Sequence, residues 1–222
     1  MMNNQEILAR VDHTLLKPYS TWEDIRQICE DAVAYKTATV CIPPSFISRI
    51  KEAYGDRLAI CTVIGFPLGY QVTEVKAAEA RKALEDGAEE IDMVINIGAA
   101  KEGRFDAVTR EIRTLKETVG DHVLKVIIET CYLTDEEKIA LCRCVTEAGA
   151  DYIKTSTGFG SAGANLADVK LMRANAGPQV KVKAAGGIRS VKDMADFLEA
   201  GADRLGTSSA IALIKGEGTS GY

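Results

Sequence analysis

The stretch "EAGADYIK" (residues 147–154) reads as the end of a helix, a Gly-Ala-acid turn and the start of a buried strand. The same order recurs in "EDGAEEID" (85–92) and "EAGADRLG" (199–206). Glycine is the common residue just past a helix C-terminus, because it enters the left-handed region without a Cβ penalty. Recurrence of such a turn at strand entrances marks duplicated βα units. The three copies introduce the fourth, sixth and eighth of eight short apolar runs. In order these are "RVDHTLL", "TATVCIP", "LAICTVIGF", "EIDMVIN", "VLKVIIET", "DYIKTS", "VKVKAAG" and "DRLGTS".

Amphipathic segments separate the runs, among them 21–36, 73–87, 104–120, 134–149 and 190–201. Many open on Ser, Thr or Asp with an acidic residue in the first turn, which is N-cap chemistry. Strict alternation of strand and helix predicts a parallel sheet. Eight strands in 222 residues, with no GxGxxG after the first, favour an α/β fold closed as a (β/α)8 TIM barrel over an open doubly wound sheet. No proline- or serine-rich linker divides the chain, so residues 1–222 read as one barrel domain.

The chain is 46% hydrophobic and 27% charged, with a net charge of −5. An acidic balance, with lysines and arginines spread rather than massed, argues against nucleic acid or an anionic membrane as partner. Six cysteines stand at 29, 41, 61, 131, 142 and 144 without a CxxC, which fits reduced, buried thiols. "MMNNQEILARVD" lacks an apolar signal core, and no run approaches the ~18 apolar residues of a membrane span. The expected location is cytoplasmic. His13 and His122 are the only histidines and show no HxxxH or HxH spacing, so no metal site is expected.

The strands carry charges: Asp92, Lys125, Glu129, Lys154, Lys181 and Lys183. In a barrel one strand face meets the helices and the other points inside, so an unpaired mid-strand charge is costly. Lys181 and Lys183 share parity, so both are expected to face inward, one layer apart. One reading is a structural ion-pair network. The other follows from three or four lysines set against two carboxylates. Cationic excess in a low-dielectric site lowers a lysine pKa, and a neutral amine attacks carbonyls. Two glycine-rich segments, "AAGGIRS" (184–190) and "LGTSSA" (205–210), follow the last two strands, where barrels of this kind hold phosphate. The residues therefore point to a phosphorylated carbonyl substrate and Schiff-base chemistry at a lysine. On physics alone the choice among the inward lysines stays open.

The chain resembles the deoxyribose-phosphate aldolase family of class I aldolases. The resemblance runs through "DHTLLKP" (12–18), "VCIPPSFI" (40–47), "TVIGFPLG" (62–69), "EIDMVIN" (90–96), "KVIIET" (125–130), "YIKTSTGF" (152–159), "VKAAGGIR" (182–189) and "RLGTSSA" (204–210). It implies a (β/α)8 fold, no cofactor, and reversible cleavage of 2-deoxy-D-ribose 5-phosphate to D-glyceraldehyde 3-phosphate and acetaldehyde, in deoxyribose phosphate catabolism. It puts the Schiff-base lysine on Lys154, a second lysine on Lys183 and a proton-relay aspartate on Asp92. Substrate-binding positions fall on Asp12, Thr14, Cys41, Thr157, Gly158, Gly186, Gly187, Arg189, Gly206, Ser208 and Ser209. Members are often homodimers or higher homo-oligomers, and some end in a tyrosine that aids proton transfer, as Tyr222 ends this chain. Phe159 departs from members that carry a lysine after the "KTSTG" turn. Two other readings are an aldolase for a longer sugar phosphate and a catalytically silent barrel that binds a phosphometabolite.

Overall fold

The computed structural model describes residues 2–217, so Tyr222 lies outside the described residues. Among the described residues, eight parallel strands close into a barrel in sequence order, with β8 pairing back onto β1. The strands are β1 (Val11–Thr14), β2 (Thr39–Ile42), β3 (Ile60–Ile64), β4 (Glu90–Val94), β5 (Val123–Ile127), β6 (Tyr152–Lys154), β7 (Lys181–Ala185) and β8 (Arg204–Thr207). The helices are α1 (Asn4–Leu8), α2 (Trp22–Tyr35), α3 (Ile47–Tyr54), α4 (Thr73–Glu85), α5 (Ile97–Lys101), α6 (Phe105–Val119), α7 (Asp135–Ala148), α8 (Leu166–Asn175), α9 (Val191–Glu199) and α10 (Ala210–Lys215). None is long and apolar enough to cross a membrane.

Local chemistry sets the helix ends. Thr21 with Asp24, and Thr134 with Glu137, form reciprocal capping boxes at the starts of α2 and α7. Gly87, Gly149 and Gly201, the glycines of the three repeated turns, all have positive φ (110°, 76° and 109°). The repeat is thus one backbone turn used three times, each time aiming a helix end into the next strand. The short α1 has no counterpart in the repeats; it buries Ile7 and Leu8 and packs against α10.

Alternation along each strand divides the residues between two environments. Ile91 and Met93 of β4, Ile153 of β6, and Val182 and Ala184 of β7 join the apolar layer between barrel and helices. Burying such a side chain contributes roughly 1.5–3 kcal/mol. Their alternates, Asp92, Lys154 and Lys183, meet one another by ion pairing. All strands run the same way, so their C-terminal ends form one rim. Lys154 is the last residue of β6.

Lys181 is on the inward face, as its parity requires, but forms no ion pair with the interior network. It is exposed at the first position of β7, with its Nζ 5.5 Å from the Tyr152 ring centroid. Its parity matches Lys183, but it stands at the N-terminal rim, where a long side chain reaches water. Glu129 also differs from a strand residue: it lies beyond β5, in a left-handed turn.

Candidate active site

Asp92 is the hub of the barrel interior. Its Oδ2 accepts from Lys154 Nζ and from Lys183 Nζ, each at 2.7 Å. Its Oδ1 accepts from Lys125 Nζ at 2.8 Å and from Cys61 Sγ at 3.2 Å. The strand register sets this up, since Asp92 pairs with Lys125 across β4–β5 and Lys154 with Lys183 across β6–β7. Next to it stands Asp12. Its Oδ1 accepts from Arg204 at 2.5 Å and from Thr39 Oγ1 at 2.8 Å. Its Oδ2 lies 2.5 Å from Lys183 Nζ, a Coulombic contact without hydrogen-bond geometry. Glu90 completes the set by pairing with Lys125 at 2.6 Å and Arg204 at 3.1 Å.

The balance is therefore four cations to three carboxylates, not the two carboxylates read from the strands. Buried ions of this kind survive only when paired. Burial pushes the Asp92 carboxyl up, but Lys125, Lys154 and Lys183 outweigh it and hold it well below the usual carboxylate range. Asp12 is depressed in the same way, with Lys183 its strongest cation. Burial opposes the charge on Lys183, yet Asp12 and Asp92 raise it well above an ordinary lysine. Asp12 and Asp92 thus favour the ammonium form of Lys183.

Lys154 links this network to a cavity of about 330 Å³ at the C-terminal rim. Thr14, Thr157, Gly158, Gly186, Gly187, Arg189, Gly206, Ser208 and Ser209 line the cavity with it. Asp92, Lys183, Asp12 and Cys41 do not line it; all four are fully buried behind it. Cys41 sits in register with Cys61, whose hydrogen bond lowers its thiol pKa against the opposing effect of burial. Leu16, Ala185, Ile188 and Thr207 also line the cavity without having been singled out in the sequence. They are apolar or small residues, and only the fold places them at the rim.

The two glycine segments meet here as one wall. Gly186 and Gly187 both have φ +75°, which presents their backbone toward the cavity. Gly163 lets the preceding loop approach: a Cβ there would lie 2.4 Å from the Gly186 carbonyl carbon. Arg189 is exposed at the mouth and adds a cation. Ser209 is partly committed within its own loop, its N–H donating to Thr207 Oγ1. Phe159 does not line the cavity; its ring packs edge-on against Phe66, with centroids 5.3 Å apart.

Cys41, Cys61 and Asp92 lie close enough together to suggest a metal trio. Lys125, Lys154 and Lys183 already occupy both Asp92 oxygens, so a divalent ion there would meet three ammonium groups. The donor set does not fit a metal. The arrangement offers instead an amine at a cavity floor, an acid–base pair behind it and a backbone-rich polar wall opposite.

Residues 7–216 match the family described as "DeoC/LacD family aldolase". A relative from Clostridium botulinum named deoxyribose-phosphate aldolase is 63% identical over 221 residues, covering 100% of both chains. One of the same name from Clostridioides difficile is 53% identical over 218 residues, covering 98% of this chain and 100% of that one. The solved structure of a deoxyribose phosphate aldolase from Aeropyrum pernix, described as tetrameric, superposes with a TM-score of 0.88 at 35% identity. That match covers 96% of this chain and 91% of the other. The chain therefore belongs to the DeoC/LacD family of aldolases.

Proposed function

We propose that the chain cleaves 2-deoxy-D-ribose 5-phosphate reversibly to D-glyceraldehyde 3-phosphate and acetaldehyde through a Schiff base on Lys154. The observation that carries this reading is the place of Lys154. Among the described residues it is the one lysine that both lines the cavity and shares a carboxylate oxygen with a second buried lysine. Lys125 and Lys183 are fully buried and do not reach the cavity.

In this mechanism the Lys154 amine, once free of its proton, attacks C1 of the open-chain sugar phosphate. The proton shed by Lys154 passes to solvent water in the cavity and returns to the carbinolamine hydroxyl as that group leaves. Loss of water gives the iminium, which withdraws electrons from the C2–C3 bond. Asp92, through a water that the Lys183 ammonium group orients, takes the C3 hydroxyl proton; the C2–C3 bond breaks, its electrons pass to the iminium, and glyceraldehyde 3-phosphate leaves. The enamine is protonated at C2, and hydrolysis releases acetaldehyde and restores Lys154. An acid–base relay of this kind typically contributes about 10²–10⁴-fold. The Gly186–Gly187 and Ser208–Ser209 wall with Arg189 holds the phosphate, so binding at the unreactive end positions the reacting one.

We also assign the enzyme to the cytosol and to a homo-oligomer. Its six cysteines are all free, which suits a reducing compartment, and a relative with the same fold is described as a tetramer. The function is tested by supplying a panel of sugar phosphates and measuring released acetaldehyde and glyceraldehyde 3-phosphate with coupled dehydrogenases. 2-Deoxyribose 5-phosphate is expected to be the preferred substrate. Preference for a longer sugar phosphate, or no cleavage of any, contradicts the assignment.

A further inference from the structure

Glu129 is buried, 2% exposed, and stands just past β5 with φ 55° and ψ 68°. Left-handed backbone is strained for a residue with a Cβ, and such strain persists only where the surroundings impose it. Lys36, the other described non-glycine residue with positive φ, merely caps α2 at the surface. What Glu129 gains is specific: its carboxylate takes both donors of Thr157, the backbone N–H at 3.2 Å and the hydroxyl in a short hydrogen bond. Thr157 Oγ1 in turn accepts from the Phe159 N–H at 3.0 Å. Gly160 closes around the same group, since a Cβ there would lie 3.0 Å from Glu129 Cδ. The loop after Lys154 is therefore wound onto Glu129. Thr157 and Gly158, the residues of that loop that line the cavity, face the Gly186–Gly187 turn: a Cβ on Gly186 would stand 3.7 Å from Gly158 Cα. Both donors of Thr157 are spent on Glu129, so Thr157 shapes this wall rather than donating to a ligand.

We propose that Glu129 is a positioning residue, holding the loop after β6 as the wall of the cavity against which the substrate's phosphate is seated. The inference rests on the aldolase reading above. Glu129 does not line the cavity, and its side-chain hydrogen bonds go to Thr157 rather than to the Lys154–Asp92–Lys183 cluster, with Lys154 acting on it only through space. Its loss should disturb phosphate binding first and leave the ion pairs of the bond-breaking groups in place.

The test compares wild type, Glu129→Ala and Glu129→Gln on 2-deoxyribose 5-phosphate and on 2-deoxyribose, which lacks the phosphate. For Glu129→Ala the KM for the phosphorylated substrate should rise about 10–100-fold, as a displaced positioning group commonly costs. Its kcat, and kcat/KM for 2-deoxyribose, should stay within about threefold. Glu129→Gln keeps one acceptor oxygen for Thr157 and should recover most of the KM. Equal losses on both substrates, or an unchanged KM, overturn the proposal. If the alanine variant does not fold, Glu129→Asp, which withdraws the carboxylate by one methylene, carries the same comparison. Calorimetric titration with inorganic phosphate separates the two claims. A wild type that binds phosphate but cleaves no deoxyribose phosphate sinks the functional reading, while the ratio of phosphate affinities still decides the role of Glu129.

Discussion

Lys154 and Lys183 are hydrogen-bonded to the same atom, each with its Nζ 2.7 Å from Asp92 Oδ2. One carboxylate oxygen thus ties a cavity-lining amine to a buried one whose charged form Asp12 and Asp92 favour. Removing Lys183 takes a partner from Asp92 and from Asp12 together. Lys183→Leu should lower kcat by about 10²–10⁴-fold. It should also destabilise the fold by about 3–5 kcal/mol, because buried carboxylates lose their counter-ion. Single-turnover rates on protein shown folded by circular dichroism separate the two effects. Near-normal turnover in that variant refutes the relay.

Gly206 does two things in the structure. It lines the cavity, and it leaves room for Lys183: a Cβ there would lie 3.1 Å from Lys183 Cε and 3.0 Å from Ala185 Cβ. Gly206→Ala should therefore displace the Lys183 stem and lower kcat, not merely weaken phosphate binding. A variant with raised KM and unchanged kcat shows that Gly206 serves the phosphate alone.

His13 gives the fold a pH dependence separate from catalysis. Burial pushes its imidazole pKa down to about 4, against the opposing influence of Asp31 and the Thr207 backbone. Its unfolded value is near 6.5, so between these values the unfolded chain binds the proton and the folded one does not. Stability from this residue is complete above pH ~6.5 and is lost as pH falls toward ~4, by about 3 kcal/mol in all. Thermal melts from pH 7.5 to 4.5 should show this slope, flattened in His13→Gln. An identical slope in the variant assigns the effect to other groups.

The eight-fold alternation was legible because helix and strand periods differ, and because Gly87, Gly149 and Gly201 mark the same turn. Asp92, Lys154 and Lys183 were legible as charges inside apolar strands. Parity gives the face of a strand but not the depth, so Lys181 faces inward as read yet stands exposed at the N-terminal rim, while Glu90 and Arg204 were passed over at strand starts, where charge ordinarily meets water. The assignment of the nucleophile to Lys154 among the lysines came from the family resemblance. The geometry adds an independent reason, since Lys154 alone of Lys125, Lys154 and Lys183 lines the cavity. The strained backbone of Glu129 and its hold on Thr157 left no trace in residue order, because the two meet only when β5 and β6 pair.

Reductive trapping tests the Schiff base on Lys154 itself. The protein is incubated with 2-deoxyribose 5-phosphate and borohydride, digested, and the adduct located by mass spectrometry. A single reduced adduct on the Lys154 Nζ is expected. Its absence, or its appearance only on Lys125 or Lys183, contradicts a Schiff base on Lys154.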